Sequence, residues 1–247
     1  MKIEVILSPA ELPALAKRDL RETVCAVFDI LRATSTFVTM LHHGAREIIP
    51  VSEISEALQI KKTRPDILLA GERHGLKICA SGIDFDLGNS PREFTPEKIR
   101  DKTIVSTTTN GTRALRACTG AKTVLASSFL NLKATAQFLQ EHKTKNVLLI
   151  CAGTGKNKAD EDILAAGALM ELLTARGDAR PTASNSAEAA RNFYLEAKSH
   201  LADAVSNSEN AQRLLAISEL RDDVSFCLQR DIFPLVAQMT ADGIIRR

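Results

Sequence analysis

A group of chemically capable side chains directly follows the second apolar run of the chain. In VFDILRATST, residues 27–36, a β-like run ends on Asp29, Arg32 follows three residues later, and a helix-like segment opens with hydroxyl residues such as Thr34. In open α/β sheets, ligands bind beyond the carboxyl ends of the strands, where the next helix offers backbone N–H groups to anions. The spacing therefore predicts a binding site here. Helix capping by Asp29, with a solvated Arg32, would explain the same residues.

A second cluster of charged side chains occupies residues 70–91, AGERHGLKICASGIDFDLGNSP. Glu72 and Arg73 follow the apolar run DILL, so an acid and a base again stand at a predicted strand end. The same segment then brings carboxylate, amide and hydroxyl side chains into a turn-forming stretch, namely Asp84, Asp86, Asn89 and Ser90. A structural turn explains the glycine, asparagine and proline of this stretch, but it explains the density of carboxylates less well.

Two further strand ends carry glycine-bearing polar turns. Residues 105–115, VSTTTNGTRAL, place threonines and an Asn-Gly pair between a strand and a helix, where Gly111 allows close backbone approach to an oxyanion. A turn without function is the alternative. Residues 148–167, LLICAGTGKNKADEDILAAG, place Glu161 and Asp162 in the first turn of a helix, where the helix dipole favours acids regardless of function. We therefore predict that all four strand ends meet at a single crevice.

Common phosphate-binding signatures do not fit these turns. Ile150 stands where a P-loop needs its first glycine, and Asn157 replaces the Ser or Thr that should follow the lysine of GTGK. The ERHG of residues 72–75 lies far from the first strand, unlike the RHG of histidine phosphatases. The cysteines lack an arginine six residues later, as cysteine phosphatases require, and Leu31 replaces the second aspartate of a DxD motif.

Apolar runs of strand length alternate with helix-like segments along the first 175 residues. The runs are IEVILS, TVCAVFDI, EIIPV, DILLAG, TIVST, TVLASS and NVLLICAG, and the helical segments are residues 33–43, 54–62, 111–118, 130–142 and 160–175. This alternation predicts a layered α/β/α fold with a largely parallel or mixed sheet. After about residue 184 the pattern is mainly helical until IFPLVAQMT, which predicts a helical C-terminal cover that returns to the sheet. We treat residues 1–247 as a single unit, with a candidate sub-lobe boundary near residues 176–186.

Composition and charge exclude several function classes. The formal net charge of +2, with one Tyr and no Trp, argues against a nucleic-acid surface. The sequence has no apolar run near the ~20 residues of a membrane span and no signal-peptide pattern. Five scattered cysteines without a CxxC pair suggest neither a disulfide framework nor a zinc site, so we expect a cytoplasmic protein.

Together, DILRATST, AGERHGLKICASGIDFDLGNSP, TTTNGTRAL and CAGTGKNKADEDILAAG resemble the successive motifs of the 2-phosphosulfolactate phosphatase family. The later DDVSFCLQRDIFPLV is similar to the C-terminal pattern of that family, and the resemblance runs in order from about residue 2 to about residue 240. It implies a Mg²⁺-dependent phosphatase of the coenzyme M route, which splits 2-phospho-3-sulfolactate into 3-sulfolactate and phosphate. It also implies an α/β fold peculiar to the family and a homodimer.

The resemblance selects residues by motif position, and their side-chain chemistry suggests a role for each. The catalytic candidates are Asp29, Arg32 and Cys151. The candidate magnesium ligands are the carboxylates Asp29, Glu72, Asp86, Glu161 and Asp162. The candidate substrate-binding residues are Thr34, Arg73, Lys77, Asn89, Ser90, Thr107, Thr108, Thr109, Asn110, Gly111 and Gly153. His74 occupies a variable position of the family and receives no role, and Ala159 stands where a hydroxyl residue is expected.

Phosphoryl transfer asks a protein mainly for positioning and charge neutralisation, which these residue types supply. Several alternatives stay open at this point. Either a water molecule or a carboxylate such as Asp29 could attack phosphorus, and Cys151 could be a nucleophile or a structural core residue. The substrate could be another small phosphorylated hydroxy acid, and the same cradle could serve a protein that binds an anionic metabolite without turnover.

Overall fold

The computed structural model describes residues 1–80, 82–175 and 181–247. Its strands are β1 (Lys2–Ile6), β2 (Thr23–Phe28), β3 (Glu47–Val51), β4 (Leu68–Arg73), β5 (Leu76–Lys77), β6 (Cys79–Ala80), β7 (Ile83–Asp84), β8 (Thr103–Thr107), β9 (Thr123–Ser127), β10 (Asn146–Cys151), β11 (Thr182–Ala183), β12 (Ala237–Met239) and β13 (Ile245–Arg246). Its α-helices are α1 (Ala33–His42), α2 (Ile54–Thr63), α3 (Pro96–Ile99), α4 (Gly111–Ala117), α5 (Leu132–Glu141), α6 (Asp160–Ala175), α7 (Asn185–Ala197), α8 (Leu201–Ser206), α9 (Glu209–Leu215) and α10 (Arg221–Cys227). Short 3-10 helices occur at Pro9–Lys17, Pro91–Glu93, Phe129–Asn131 and Lys198–His200.

Within the described residues, eleven strands form one mixed sheet in the order β11-β1-β10-β2-β9-β12-β13-β3-β8-β4-β5. Two blocks of this sheet are parallel. The first block contains β11, β1, β10, β2 and β9, and the second block contains β3, β8 and β4. The antiparallel hairpin of β12 and β13 lies between β9 and β3, so the last strands of the chain join the two blocks.

The inner strands of the first block, β10, β2 and β9, are buried on both faces, as expected for parallel strands covered by helices. Along β2, Val24, Ala26 and Phe28 belong to one hydrophobic cluster, whereas the alternate residues Cys25 and Val27 belong to another. The first cluster lies under α5, α6 and α7. The apolar composition of β2 therefore reflects two cores rather than one.

Helices α1 and α4 lie between the two blocks. Helix α4 contacts both β2 of the first block and β3 of the second block. The cluster around these helices combines Phe37 of α1 and Leu115 of α4 with Val27 of β2 and Ile104 of β8. The first turns of α1 and α4, which follow β2 and β8, are thereby brought side by side.

The C-terminal helices cover the first block. Helix α7 packs closely on α6, where a Cβ at Gly167 would lie 2.6 Å from the Cβ of Tyr194. Helices α9 and α10 contribute Leu214 and Val224 to the same core as α6 and α7. After α10 the chain returns to the sheet as β12. The predicted layered α/β/α class and the helical C-terminal cover are confirmed.

Individual elements agree with the sequence pattern to within a few residues. EIIPV and TIVST become β3 and β8, and the predicted helix at residues 160–175 is α6. The proposed sub-lobe boundary near 176–186 falls partly on residues 176–180, outside the described residues, while Thr182–Ala183 pairs with β1 as β11. Among the described helices, none combines the length and the apolar character needed to cross a bilayer.

Candidate active site

A cavity of about 400 Å³ lies where the turns after β2, β4, β8 and β10 meet helix α9. The residues that line the cavity from these four strand ends include, in order, Asp29 and Arg32; Glu72, His74 and Gly75; Thr109 and Asn110; and Thr154 to Asn157. Helix α9 contributes Glu209, Asn210 and Arg213 from the opposite side. The predicted convergence of four separate strand ends is therefore present in the structure.

Asp29 is held between the first turns of α1 and α4. Its Oδ1 accepts a hydrogen bond from the backbone N–H of Ala33 at 3.1 Å. Gly111 permits the close approach of α4, because a Cβ there would lie only 2.6 Å from Asp29 Oδ2. Burial, followed by the charges of Glu72 and Glu161, raises the pKa of Asp29 to about 7. Asp29 therefore both caps α1 and faces the cavity as an acid.

Glu72 ties two of the cavity turns together. Its Oε1 accepts from the backbone N–H of Thr109 at 2.7 Å, and its Oε2 accepts from the backbone N–H of Gly75 at 2.7 Å. The side chain is buried, so these two charge-assisted hydrogen bonds fix its position. Glu72 and Asp29 thus approach the same cavity from different parts of the sheet.

The first turn of α6 supplies two more buried acids. Asp162 accepts hydrogen bonds from the backbone N–H groups of Ile30 at 2.8 Å and Gly153 at 3.0 Å. It thereby fixes the turns that follow β2 and β10. Burial, then the charges of Glu161 and Asp29, raises the pKa of Asp162 well above its ordinary value. Asp162 is a clamp between two strand ends, with both oxygens already bonded to backbone.

Glu161 lies behind the wall that α9 contributes. Its Oε1 accepts from Asn210 Nδ2 at 2.6 Å, and Asn210 also donates to Thr154 Oγ1 at 2.6 Å. Its Oε2 is buried and has no hydrogen-bond partner among the described residues. Burial raises the pKa of Glu161, although the hydrogen bond from Asn210 acts against this change. A buried carboxylate oxygen without a partner is costly unless a ligand satisfies it.

Arg32 brings a buried positive charge to the cavity wall. Its Nη1 donates to Asp223 Oδ2 of α10 at 2.7 Å, and its Nη2 donates to the carbonyl oxygen of Gly75 at 2.6 Å. Only 2% of the Arg32 side chain is exposed, so the solvated arginine considered from the sequence alone is ruled out. Lys156 and Arg213 add cationic groups at more exposed positions of the lining.

Three residues predicted as ligands point away from this cavity. Arg73 donates to the Glu72 and Ser52 carbonyl oxygens and to Thr107 Oγ1, because successive strand residues face opposite sides of the sheet. Exposed Lys77 pairs with Asp84 at 2.7 Å, on the β5–β7 segment. Asp86 accepts from the backbone N–H of Leu69 at the edge of β4. Within the described parts of the chain, none of Arg73, Lys77 and Asp86 lines the cavity.

Cys151 lies inside the core between the first block and its helices, with none of its surface exposed. Burial, followed by the charge of Asp162, raises the pKa of its thiol well above the ordinary value. A neutral thiol without access to the cavity is a poor nucleophile. The structural reading of Cys151 therefore fits its surroundings, and the catalytic role predicted for it does not.

Other predicted substrate residues support the cavity from behind. Thr34 donates to the Asp29 carbonyl oxygen, Ser90 Oγ donates to Asp223, and Thr108 exchanges hydrogen bonds with Thr112. Thr107 Oγ1 donates to the Ser52 carbonyl oxygen. Gly111 allows α4 to approach Asp29 closely, and Gly153 donates its backbone N–H to Asp162. By contrast, Asn89, Thr109 and Asn110 line the cavity itself, as predicted.

Several cavity residues were missed by the sequence analysis. Thr154, Lys156 and Asn157 belong to the glycine-rich turn after β10, from which only Gly153 was selected. The pattern of that turn could have identified them. Asn210 and Arg213 come from α9, a short helix without a motif of its own. Only the packing of α9 against the strand ends places them at the site.

The donor set around the cavity consists of hard oxygen atoms. The described residues contain no cluster of three or more His, Cys, Asp or Glu side chains arranged to hold a metal ion by themselves. However, Asn89 Oδ1, Thr109 Oγ1 and Glu161 Oε2 are buried without hydrogen-bond partners in the described structure. Mg²⁺ is typically bound by one or two carboxylates together with water and substrate phosphate. The residues present fit such a site, in which the substrate completes the coordination.

Comparisons with known proteins agree with the motifs. A family model described as 2-phosphosulpholactate phosphatase matches residues 10–242. A protein of Caldanaerobacter subterraneus subsp. tengcongensis, named as a probable 2-phosphosulfolactate phosphatase, is 39% identical over 93% of this chain and 92% of its own length. A protein with the same name from Thermotoga petrophila is 42% identical over 85% of this chain and 86% of its own length. Another, from Clostridium tetani, is 33% identical over 100% of both chains. The chain therefore belongs to the 2-phosphosulfolactate phosphatase family.

Proposed function

We propose that this protein is a Mg²⁺-dependent phosphatase that hydrolyses 2-phospho-3-sulfolactate to 3-sulfolactate and inorganic phosphate. The observation that carries the proposal is a single cavity in which Asp29 and Glu72 stand beside Arg32, close to buried oxygen atoms without partners. The names of the relatives support the choice of substrate. Hydrolysis consumes one water molecule, breaks the ester P–O bond and leaves a proton on the sulfolactate hydroxyl.

Asp29 and Glu72, which both line the cavity, are the side chains that would hold Mg²⁺, and the buried Glu161, outside the lining formed by the described residues, adds negative charge nearby. When bound, Mg²⁺ supplies neutralisation of the charge on the phosphoryl oxygens. The raised pKa of Asp29 is consistent with this assignment, since burial and then the charges of Glu72 and Glu161 disfavour its ionised form in the absence of a cation. Asp162 keeps the turns after β2 and β10 at a fixed separation.

Arg32 is the main candidate to grip the phosphate, because a guanidinium offers a planar set of N–H donors to tetrahedral oxyanions. Lys156 and Arg213 face the same cavity and would bind the other anionic groups of the substrate. Thr109 and Asn110 lie at the N-terminus of α4 and would contribute polar contacts. Asp29, Arg32 and Glu72 are buried and hydrogen-bonded, so they are in place before the substrate arrives, which is the form of catalysis that phosphoryl transfer uses.

The test is phosphate release from 2-phospho-3-sulfolactate by the purified protein, with Mg²⁺ and with EDTA. We expect release that requires Mg²⁺ and exceeds release from p-nitrophenyl phosphate and from 2-phospholactate. Faster hydrolysis of 2-phospholactate would assign another phosphorylated hydroxy acid as substrate. Tight binding of the anion with no phosphate release would replace the enzyme with a metabolite-binding protein.

The resemblance also suggests a role in coenzyme M synthesis, a homodimeric state and a location in the cytoplasm, and these remain predictions. Light scattering coupled to size-exclusion chromatography tests the homodimer directly. A mass near the 26.8 kDa of one chain would contradict it, and about twice that mass would support it.

A further inference from the structure

We propose that Asp223, a buried residue of α10, is a positioning residue that aims the guanidinium of Arg32 at the substrate phosphate. The inference rests on the proposed function, in which Arg32 binds phosphate. Asp223 belongs to the helical cover and was not among the residues selected from the sequence. It does not line the cavity among the residues described, so it would act through Arg32 alone.

The contact between the two residues is short and fully enclosed. Asp223 Oδ2 accepts from Arg32 Nη1 at 2.7 Å, and the exposed fractions of the two side chains are 0% and 2%. A buried guanidinium needs a counter-charge in good geometry, because desolvation otherwise makes its burial very unfavourable. The carboxylate of Asp223 therefore determines the position of the buried Arg32 guanidinium.

Asp223 is itself held in place by a second set of contacts. Its Oδ1 accepts from Ser90 Oγ at 2.6 Å, and the Nη1 of Arg92 lies 3.7 Å from the same oxygen. Helix α10 packs on the 3-10 helix at Pro91–Glu93, which carries Arg92. Contacts to both oxygens therefore hold the Asp223 carboxylate in one orientation. A carboxylate that cannot rotate also restricts the orientation of the guanidinium that donates to it.

The donor count of Arg32 explains why the orientation matters for an anion. A guanidinium has five N–H donors in a rigid fork. Among the described residues, Arg32 uses two of these donors, one to Asp223 Oδ2 and one to the Gly75 carbonyl oxygen. These two bonds fix the plane of the fork, and the remaining N–H groups have no hydrogen-bond partner among the described residues, so part of the fork stays available to an anion in the cavity. Loss of the Asp223 charge would free the fork to rotate.

The first experiment compares Asp223→Asn with Asp222→Asn. Asp222 is the neighbouring aspartate on α10; it is 64% exposed and pairs with Arg92 at 3.3 Å. We expect Asp223→Asn to lower kcat/KM by about 10- to 100-fold, as is common for residues that orient a binding group, and Asp222→Asn to stay within about twofold. Circular dichroism and a cooperative unfolding transition establish that both variants are folded. A folded Asp223→Asn variant with unchanged kcat/KM would overturn the inference.

The second experiment is a double-mutant cycle with Arg32→Lys. If Asp223 acts through Arg32, Asp223→Asn costs much less in the Arg32→Lys background than in the wild type. Equal losses in both backgrounds would indicate a general structural role and reject the proposal. Should Asp223→Asn fail to fold, Ser90→Ala removes one donor to the same carboxylate. We expect about a 2- to 10-fold loss that is also non-additive with Arg32→Lys, and additivity would again reject the proposal.

A binding measurement separates this inference from the proposed function. Inorganic phosphate, titrated by calorimetry in the presence of Mg²⁺, reports the anion site without turnover. We expect Asp223→Asn to weaken phosphate binding about 10-fold and Asp222→Asn to leave it unchanged. Wild-type protein that binds phosphate but hydrolyses no ester would contradict the proposed enzyme, while this difference between the variants would still support the role of Asp223. Equal phosphate affinity in wild type and folded Asp223→Asn would overturn that role.

Discussion

The cavity has two walls that are built in different ways. The strand-end wall, formed by Asp29, Glu72 and Thr109, holds its acids with hydrogen bonds from nearby backbone N–H groups. The cover wall, formed by Asn210 and Arg213 of α9, is held by side-chain contacts and by packing of the C-terminal helices. The strand-end wall carries most of the negative charge, whereas the cover wall adds the donors of Asn210 and Arg213.

The difference teaches that the carboxylates of the strand-end wall and the donors of the cover wall depend on different levels of structure. Backbone turns after strands fix the carboxylates, so their positions depend on local sequence and sheet register. Groups on the cover reach the site only after α6, α7, α9 and α10 have packed together. We therefore expect substitutions in the strand-end wall to remove chemistry, and substitutions in the cover wall to weaken binding.

The largest effect should come from Asp29→Asn. We expect kcat/KM to fall by at least about 1,000-fold, because a charged group at the reacting phosphate is lost while the hydrogen bond to Ala33 can persist. Asp84→Asn, which removes an exposed acid paired with Lys77, is the control and should keep full activity. Steady-state kinetics with 2-phospho-3-sulfolactate measures both. Full activity in Asp29→Asn would remove Asp29 from the mechanism.

Asp29 should also make the stability of the metal-free protein depend on pH. Its pKa is raised from 3.8 to about 7, so the folded state retains a proton that the unfolded state has lost. The Asp29 contribution to the free energy of unfolding therefore falls as pH rises from about 4 to about 7, by at most about 4 kcal/mol, and is constant above. Urea unfolding in EDTA at pH 5 and pH 8 measures the change. Asp29→Asn should show a smaller difference between the two pH values, and an identical difference would contradict the assignment.

Glu161→Gln tests the acid that connects the two walls. We expect about a 10- to 100-fold increase in the Mg²⁺ concentration that gives half-maximal activity, because the buried, unpartnered Oε2 and its negative charge are replaced by a neutral amide. Asp160→Asn changes the adjacent, exposed acid in the same helical turn and should leave the Mg²⁺ requirement unchanged. Equal behaviour of the two variants would show that Glu161 takes no part in metal binding.

Arg213→Gln should have the smallest effect and separates the cover wall from the strand-end wall. We expect KM to rise about 10-fold with little change in kcat, since the exposed guanidinium contributes binding rather than chemistry. Arg116→Gln, on α4 and paired with Glu56 outside the cavity, serves as the control. A large fall in kcat with unchanged KM would place Arg213 among the reacting groups and break the distinction between the walls.

The strand-end wall was predictable from the sequence because its signals are local. Asp29 and Glu72 each follow or end an apolar run, and the Asn-Gly pair at the start of α4 marks a turn after β8. The same logic went wrong at Arg73, because two adjacent residues of one strand face opposite sides and only Glu72 faces the cavity. A position at the end of a strand therefore predicts that a residue lies near the site. The alternation of side chains along the strand then decides which residue faces the cavity.

The contacts between the C-terminal helices and the strand ends could not be predicted, because they join residues far apart in the sequence. Arg32 and Asp223 are 191 positions apart, and Glu161 and Asn210 are 49 apart. The local pattern of α9 and α10 indicates only helices with an apolar side. Which polar residue then meets the cavity depends on how several helices pack, and short-range patterns carry no information about that packing.

The hairpin of β12 and β13 has a consequence for biosynthesis. Both parallel blocks are already translated when the ribosome reaches residue 237, but β9 and β3 still lack the neighbours that occupy their outer edges. Unpaired strand edges attract other chains and invite aggregation. The nascent protein therefore spends the interval before these final strands emerge with two open edges, and chaperone capture or self-association should be concentrated at that stage of translation.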